Sequence, residues 1–179
     1  MAAMAGAVER GRGVTVVTAT AVASRRSPTR WSPLRWRPPG IALALATAAG
    51  AGHVALWGGS APWGHAPVSG ALLAAGGLVW TVWAWALFRA AGTPVQSSET
   101  PLQLIEEGPY RFGRNPMYLG IVMLLLGAAL GLGAPLLALA ALLFAAVAHV
   151  LHIPDEEAQM TRRFGGWYRD YVASTRRWL

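Results

Sequence analysis

The 179-residue chain contains no cysteine and no lysine, and charged residues make up only 13% of it. The missing thiols exclude disulfides, thiolate metal ligands, a cysteine nucleophile and a palmitoyl or prenyl anchor within this sequence. A soluble domain carries about 25% charged residues, whereas 54% of the residues here are hydrophobic and the mean hydropathy is +0.39. The composition therefore favours a membrane protein, and the length favours a single domain.

Four apolar segments contain no Arg, Asp or Glu. Each has a length in the range of roughly 17–25 residues that a spanning helix needs. A backbone inside lipid must satisfy its own hydrogen bonds, which makes these segments helices. We therefore predict an all-α integral membrane protein with about four transmembrane helices. The predicted spans are 41–57, 68–88, 117–133 and 135–153.

The third and fourth spans are joined almost without a loop. Gly131, Gly133 and Pro135 are the residue types of a tight turn, so we expect an antiparallel helical hairpin. Gly127 and Gly131 lie one helical turn apart, a spacing that allows close approach of a neighbouring helix. The hairpin should bring the outer ends of its two helices to the same membrane face.

Arginine supplies all 15 basic residues, against 8 acids, for a net charge of +7. Nucleic-acid binding is not indicated, because the arginines are not interleaved with stacking aromatics. They instead fall in three groups, within 10–37, 89–114 and 162–177, all outside the apolar segments. Because basic residues stay on the cytoplasmic side, we predict a multi-pass protein of the cytoplasmic membrane with both termini in the cytoplasm.

The two ends of the chain differ in character. Residues 1–40 are rich in Arg, Pro and Ser without helical periodicity, and we expect a disordered cytoplasmic tail ahead of a membrane domain over 41–179. Aromatic and apolar residues in 155–175 recur at steps of three and four, which predicts an amphipathic cytoplasmic helix. Gly165 and Gly166 should break or kink it.

Two polar clusters flank the hairpin. "GPYRFGRNPMYLG" (108–120) precedes the third span, and "HIPDEE" (152–157) follows the fourth. Cations, amides and phenols held opposite carboxylates can bind a zwitterionic or amphiphilic ligand. The side chains expected to meet at the cytoplasmic rim are Arg111, Arg114, Asn115 and Tyr118 from the first cluster, and His152, Glu156 and Glu157 from the second.

No metal site is predicted, because the four histidines are scattered along the chain. His149 and His152 lie one turn apart, but a metal ion would need more ligands than these two supply. The glycines of 127–133 follow no strand, so they do not match a nucleotide-binding turn.

The paired motifs "GPYRFGRNPMYLG" and "IPDEEAQMTRRFGGWYRDYVASTRRWL" resemble those of the isoprenylcysteine carboxyl methyltransferase family, especially its short bacterial members. Related motifs occur in phospholipid N-methyltransferases. The resemblance covers about residues 90–179. It implies a helical, membrane-embedded site in which S-adenosylmethionine donates a methyl group to a membrane-dissolved acceptor.

The resemblance also implies a set of cofactor-binding residues. In the family, the cofactor is held by the stretch before the first motif, by the motif itself and by a carboxylate of the acidic pair. Carried over to this sequence, those residues are Leu102, Gln103, Leu104, Ile105, Tyr110, Asn115, Pro116, Met117, Tyr118 and Glu156.

Two positions depart from the eukaryotic members of that family. Asn115 stands where they have His, and His152 stands where they have a substrate-binding Arg, four residues before Glu156. Histidine lacks the permanent charge and bidentate geometry of arginine, so a prenylcysteine carboxylate is disfavoured as the substrate. His152 remains a candidate substrate-binding residue. The acceptor is left open among lipid amines and isoprenoid or other amphiphilic acids, by oxygen, nitrogen or sulfur methylation.

Three other classes of protein share some of these features. A related membrane reductase would bind a nicotinamide cofactor at part of the same motif. A small transporter would be expected to carry a carboxylate within a span, and none of the four predicted spans has one. A non-catalytic membrane protein would not need the two polar clusters to face each other. No protein partner can be inferred from the sequence.

Overall fold

The computed structural model describes residues 8–11, 14–18, 38–91 and 103–179. The described chain is mainly helical. In order, its elements are β1 (Val8–Gly11), β2 (Val14–Thr18), α1 (Pro38–Trp57), α2 (Pro67–Ala90), β3 (Gln103–Leu104), a 3-10 helix (Gly108–Arg111), α3 (Pro116–Leu132), α4 (Pro135–Val147), a π-helical segment (Ala148–His152), α5 (Ile153–Phe164) and α6 (Gly166–Ser174).

Three helices are long and apolar enough to cross a membrane: α1, α2 and the continuous helix Pro135–Phe164. The shorter α3 is also apolar. The predicted helical membrane fold is thus confirmed, with helices at all four predicted positions. Each of the four apolar helices begins with proline. The first backbone N–H groups of a helix have no hydrogen-bond partner within the helix, so proline, which lacks this N–H, loses no hydrogen bond there.

The fourth apolar helix is longer than predicted. It does not end at residue 153 but passes through the π-helical segment into α5, ending at Phe164. Pro154 cannot donate a hydrogen bond to the carbonyl of Val150, and the wider π turn just before it makes room for the proline ring. The apolar pattern therefore stops near residue 153 while the helix itself continues.

The helices pack in the order α2, α3, α4, α1, with α2 lying along α3. Glycines make this contact close. A Cβ built on Gly70 would lie 2.6 Å from the carbonyl oxygen of Gly127, and one on Gly77 would lie 2.5 Å from that of Gly120. Small residues let helix backbones approach in a membrane. The predicted packing role of Gly127 and Gly131 is confirmed, and the partner is α2.

The turn between α3 and α4 is as tight as predicted. Gly133 caps α3 in the left-handed conformation, with φ of 61°, and α4 begins at Pro135. The backbone N–H of Ala134 donates to the carbonyl of Ala129 at 2.9 Å, which satisfies one of the last carbonyls of α3. Since the turn is this short, the first residues of α3 and the segment after α4 lie at the same end of the bundle.

Residues 1–40 are expected from their composition to be disordered, but their described part differs. β1 and β2 pair antiparallel, and β2 also pairs with β3 through Val17 and Leu104. The β-branched run Val14–Thr18 fits a strand. The rest of the predicted disordered tail, up to residue 37, lies outside the described residues.

The C-terminal region forms two helices instead of one. Gly165, with φ of 58°, separates α5 from α6, so the predicted break is confirmed. After α6 the chain runs back beside the loop that precedes α3, where Gly113 and Arg176 form an isolated parallel bridge. The sequence does not predict this return.

Candidate functional site

The two polar clusters meet, as the hairpin predicts. Tyr118, in the first turn of α3, donates its phenolic O–H to Glu156 Oε1 of α5 at 2.8 Å. Arg114, two residues before α3, pairs with Glu157 at 3.0 Å. Phe144 and Ile153 lie fully buried in the same core cluster as Tyr118.

A pocket that is open to solvent at its mouth lies where these elements converge. Its wall combines apolar and aromatic side chains with a few polar groups. The lining residues are Phe88, Leu104, Ile105, Tyr110, Arg114, Asn115, Pro116, Met117, Tyr118, Glu156, Glu157, Met160, Tyr168 and Tyr171.

Most of the predicted cofactor-binding residues line this one pocket. Leu102 lies outside the described residues, and Gln103 is described only as part of β3. The predicted residues that line the pocket are Leu104, Ile105, Tyr110, Asn115, Pro116, Met117, Tyr118 and Glu156.

Two other predicted participants lie elsewhere. His152 is half-buried in the π-helical segment and is not among the pocket-lining residues. Arg111 is exposed at the end of the 3-10 helix, also outside the lining. The structure therefore brings Glu156 and Glu157 to the first cluster without His152.

Glu157 joins two arginines. Arg114 donates to it through Nη2, and Arg177 donates through Nη2 at 2.6 Å and through Nε at 3.2 Å. Arg114 Nε also donates to Glu157, at 3.4 Å, and Nη1 donates to the backbone carbonyls of Val172 and Thr175. Each guanidinium nitrogen of Arg114 is thus engaged within the protein. Arg114 therefore joins the loop before α3 to α5 and to the C-terminal residues.

Asn115 is buried, and its side-chain amide Nδ2 donates to the backbone carbonyl of Arg177 at 2.9 Å. One of its two N–H groups is therefore committed to the C-terminal residues. An amide presents two donors and one acceptor oxygen, so Asn115 retains hydrogen-bonding capacity toward the pocket that it lines.

Aromatic rings form one wall of the pocket. The rings of Phe88 and Tyr110 lie 5.4 Å apart between centroids, and Tyr171 donates its phenolic O–H to the carbonyl of Tyr110 at 2.7 Å. Burial raises the pKa of Tyr171, and it raises the pKa of Tyr168 to about 12. These phenols are therefore neutral at physiological pH and act as hydrogen-bonding groups, not as bases.

Tyr110 has an unusual hydroxyl. The residue is only 5% exposed, and within the described structure its phenolic oxygen has no hydrogen-bond partner. Burial is also the main reason that the pKa of Tyr110 is raised, followed by the nearby Tyr171 and Glu156. Buried polar atoms are nearly always bonded. A neutral O–H donor that lines the pocket without a partner is suited to a polar group of a ligand.

Several lining residues are not predicted by the sequence as part of the site. Phe88 lies near the end of α2, and nothing in the sequence distinguishes it from other apolar residues of that helix. Met160, Tyr168 and Tyr171 belong to the apolar face of the amphipathic pattern of 155–175. That face packs against Leu104 and closes the pocket. This apolar face follows the acidic pair Glu156 and Glu157 directly in the sequence, and that position is the signal that could have predicted its place in the pocket wall.

Comparison with known proteins gives two matches. A family model described as phospholipid methyltransferase matches residues 66–166, which run from the start of α2 to the start of α6. A Haemophilus influenzae protein described only as uncharacterized is 38% identical over 63 residues, which is 35% of this chain and 100% of that protein. No solved structure matches the chain significantly.

Proposed function

Because the chain belongs to the phospholipid methyltransferase family, we propose that it transfers the methyl group of S-adenosylmethionine to a lipid or another membrane-dissolved amphiphile. The observation that carries the proposal is the pocket at the end of the bundle. It unites Glu156, Tyr110 and Asn115 from three separate segments. The pocket also contains Phe88, from the end of a helix that could cross the membrane.

The residues of this pocket fit the chemistry of S-adenosylmethionine. The cofactor has an ammonium, a carboxylate, ribose hydroxyls and a sulfonium. Glu156, oriented by Tyr118, offers carboxylate oxygens to the ammonium or the ribose. Tyr110 and Asn115 offer a hydroxyl and an amide to the remaining polar groups. Aromatic faces such as those of Phe88 and Tyr171 attract cations. When bound, the cofactor supplies an electrophilic methyl group, and the protein contributes chiefly positioning.

We infer further that the acceptor is an amine instead of a carboxylate. A carboxylate acceptor would need a cation in the pocket. Among the described lining residues the guanidinium of Arg114 is fully engaged by Glu157 and by backbone carbonyls. The acidic lining residues, Glu156 and Glu157, would repel a carboxylate acceptor and favour an amine, whose ammonium form gives its proton to solvent before the nitrogen attacks the methyl group. An aminophospholipid would satisfy this requirement.

The acceptor would enter from the bilayer. α2 packs on α3 through one face and exposes another, with Val79, Val82 and Trp83 among its exposed side chains, and Phe88 near its end lies in the pocket wall. A lipid lying against α2 could therefore present its headgroup at the pocket mouth. From the arginine distribution, we place this mouth on the cytoplasmic side, where S-adenosylmethionine is made.

The proposal is tested with purified protein in lipid nanodiscs. S-adenosylmethionine and NADPH are titrated separately, and methyl transfer from radiolabelled donor is then measured with an aminophospholipid and with an isoprenoid carboxylic acid as acceptors. Binding of the methyl donor and labelling of the amine are expected. Binding of NADPH alone would favour a reductase and overturn the proposal. Labelling of the acid alone would overturn the amine inference while leaving methyl transfer in place.

A further inference from the structure

The last five residues of the chain, 175–179, which we call the C-terminal tail, are bonded to the loop before α3 at successive positions. The carbonyl of Arg176 accepts a hydrogen bond from the backbone N–H of Arg114 at 2.9 Å. The carbonyl of Arg177 accepts one from Asn115 Nδ2 at 2.9 Å, and that of Thr175 accepts one from Arg114 Nη1. Three consecutive carbonyls of the tail thus bind two consecutive loop residues.

Side-chain contacts hold the tail in this register. Arg177 forms a bidentate pair with Glu157 of α5, and Arg114 binds the same carboxylate from the loop side. The side chains of Arg114, Glu157 and Arg177 are 10%, 19% and 33% exposed, so solvent and salt screen the three charges only in part. Glu157 is therefore the common point that ties the loop, α5 and the tail together.

Trp178 anchors the tail one residue further on. Its indole N–H donates to His149 Nδ1 at 3.2 Å, and the two rings stack at an interplanar angle of 19°. Gly113 lies so close to Trp178 that a Cβ at this position would collide with the Trp178 carbonyl. The loop sequence therefore has room for the tail only because residue 113 is glycine.

We propose that Arg177 is a positioning residue of the site, acting through Glu157 and the tail to hold Asn115 and Arg114 in place. Arg177 is not among the residues that line the pocket, so its effect on a ligand is indirect. It also lies beyond residues 66–166, the range that the family model matches. The effect of Arg177 on catalysis rests on the proposed function, whereas its effect on the position of the loop rests on the contacts alone.

The adjacent arginines provide a matched pair of variants. Arg176 contributes only its backbone carbonyl, and its side chain is exposed, whereas the side chain of Arg177 binds Glu157. With the full chain in nanodiscs, we expect Arg177→Gln to weaken S-adenosylmethionine binding about tenfold, as loss of a charge-assisted contact would. Arg176→Gln should change it by less than about twofold, as for other exposed charges. Arg177→Lys should restore part of the loss, since it keeps the charge but not the bidentate geometry.

Hydrogen exchange separates this inference from the proposed function. The amide of Arg114 is bonded to the tail, so its protection should fall in Arg177→Gln and persist in Arg176→Gln, whether or not any ligand binds. If the parent protein does not bind S-adenosylmethionine, the proposed function fails and exchange alone decides the positioning role. Equal protection and equal affinity in the two variants would overturn that role.

A double variant keeps the test decisive if Arg177→Gln folds poorly. Glu157→Gln combined with Arg177→Gln removes both charges of this pair, and Arg114 loses its carboxylate partner equally in this variant and in Glu157→Gln alone. If Arg177 acts through Glu157, the double variant should lose no more affinity than Glu157→Gln alone. If the affinity losses of Glu157→Gln and Arg177→Gln add fully in the double variant, the two residues act independently and the proposed mechanism is overturned.

Discussion

The phenol of Tyr118 donates a hydrogen bond to Glu156 at 2.8 Å, although 38 residues separate the two in the chain. The hairpin of α3 and α4 makes this contact possible, because its turn places the start of one helix beside the continuation of the other. The bond orients the carboxylate of Glu156 within the pocket that both residues line. Glu156 is therefore positioned before any ligand arrives.

The first prediction concerns the charge of Glu156. Glu156→Gln preserves the shape of the side chain but removes the negative charge that an ammonium or ribose would use. We expect the affinity for S-adenosylmethionine to fall about ten- to hundredfold, as for a hydrogen bond to a charged group. Isothermal titration of the purified variant measures this change.

Asp155→Asn is the matched control for Glu156→Gln. Asp155 precedes Glu156 in the first turn of α5, but its side chain is exposed and does not line the pocket. Its neutralisation should leave the affinity nearly unchanged. Equal losses in both variants would assign the effect to the general charge of this segment instead of to Glu156.

The general plan of this site could be predicted from local sequence features. Apolar runs without charges predict the membrane helices, and Gly133 with Pro135 predicts the tight turn. Once that turn is accepted, the meeting of Tyr118 and Glu156 follows from helical geometry. Most of the residues assigned by family resemblance also lie together in the pocket, although their role in cofactor binding remains a proposal.

The features that the sequence did not predict depend on long-range contacts. His152 does not line the pocket, and the π-helical turn at Ala148–His152 is an irregularity that sequence periodicity alone does not predict. The tail reaches Asn115 through the carbonyl of Arg177, and backbone acceptors carry no sequence pattern. The double pairing of Glu157 with Arg114 and Arg177 also depends on the fold, since 43 residues separate Arg114 from Glu157 in the chain.

The second prediction concerns the close contact between α2 and α3. Gly70→Ala would place a methyl group against the backbone of α3, 2.6 Å from the carbonyl oxygen of Gly127. The helices would have to separate, and we expect a loss of about 1–3 kcal/mol of stability, the usual cost of overpacking. Thermal unfolding in detergent provides the measurement, with a lower transition temperature expected.

Gly50→Ala serves as the control for the helix contact. Gly50 lies in α1, and a Cβ at this position would have no neighbour within 4 Å. Alanine is favoured over glycine inside a helix by roughly 0.5–1 kcal/mol, so this variant should be as stable as the parent or slightly more so. If Gly70→Ala is likewise as stable as the parent protein, α2 and α3 are not held in the close contact seen between Gly70 and Gly127.

The third prediction concerns orientation in the membrane. The absence of cysteine makes single-cysteine labelling straightforward. Ser60, in the connection between α1 and α2, and Ser174, at the end of α6, are both exposed and should lie on opposite sides of the membrane. In intact cells a membrane-impermeant maleimide should label Ser60→Cys but not Ser174→Cys. The reverse pattern would place the pocket mouth outside the cytoplasm.

The last prediction uses the buried hydroxyl of Tyr110. Tyr110→Phe removes an oxygen that has no partner within the described structure, so it should not destabilise the ligand-free protein and should stabilise it by up to about 1–3 kcal/mol. The same change should weaken S-adenosylmethionine binding, because the neutral O–H is the group we expect a ligand to use. Tyr171→Phe is the comparison, since its hydroxyl donates to the carbonyl of Tyr110 at 2.7 Å. Removing that hydroxyl leaves a buried carbonyl without this donor and should lower the stability.

These two tyrosines should therefore respond in opposite directions in the ligand-free protein, although each variant loses one oxygen from the same pocket wall. Thermal unfolding with and without S-adenosylmethionine measures both effects in one experiment. The gain in transition temperature on adding the cofactor should be smaller for Tyr110→Phe than for the parent, because a ligand at a given concentration stabilises the protein less when its affinity is lower. If Tyr110→Phe loses stability without ligand and keeps the full gain with it, its hydroxyl serves the fold, and the ligand must be held by Glu156 and Asn115 without it.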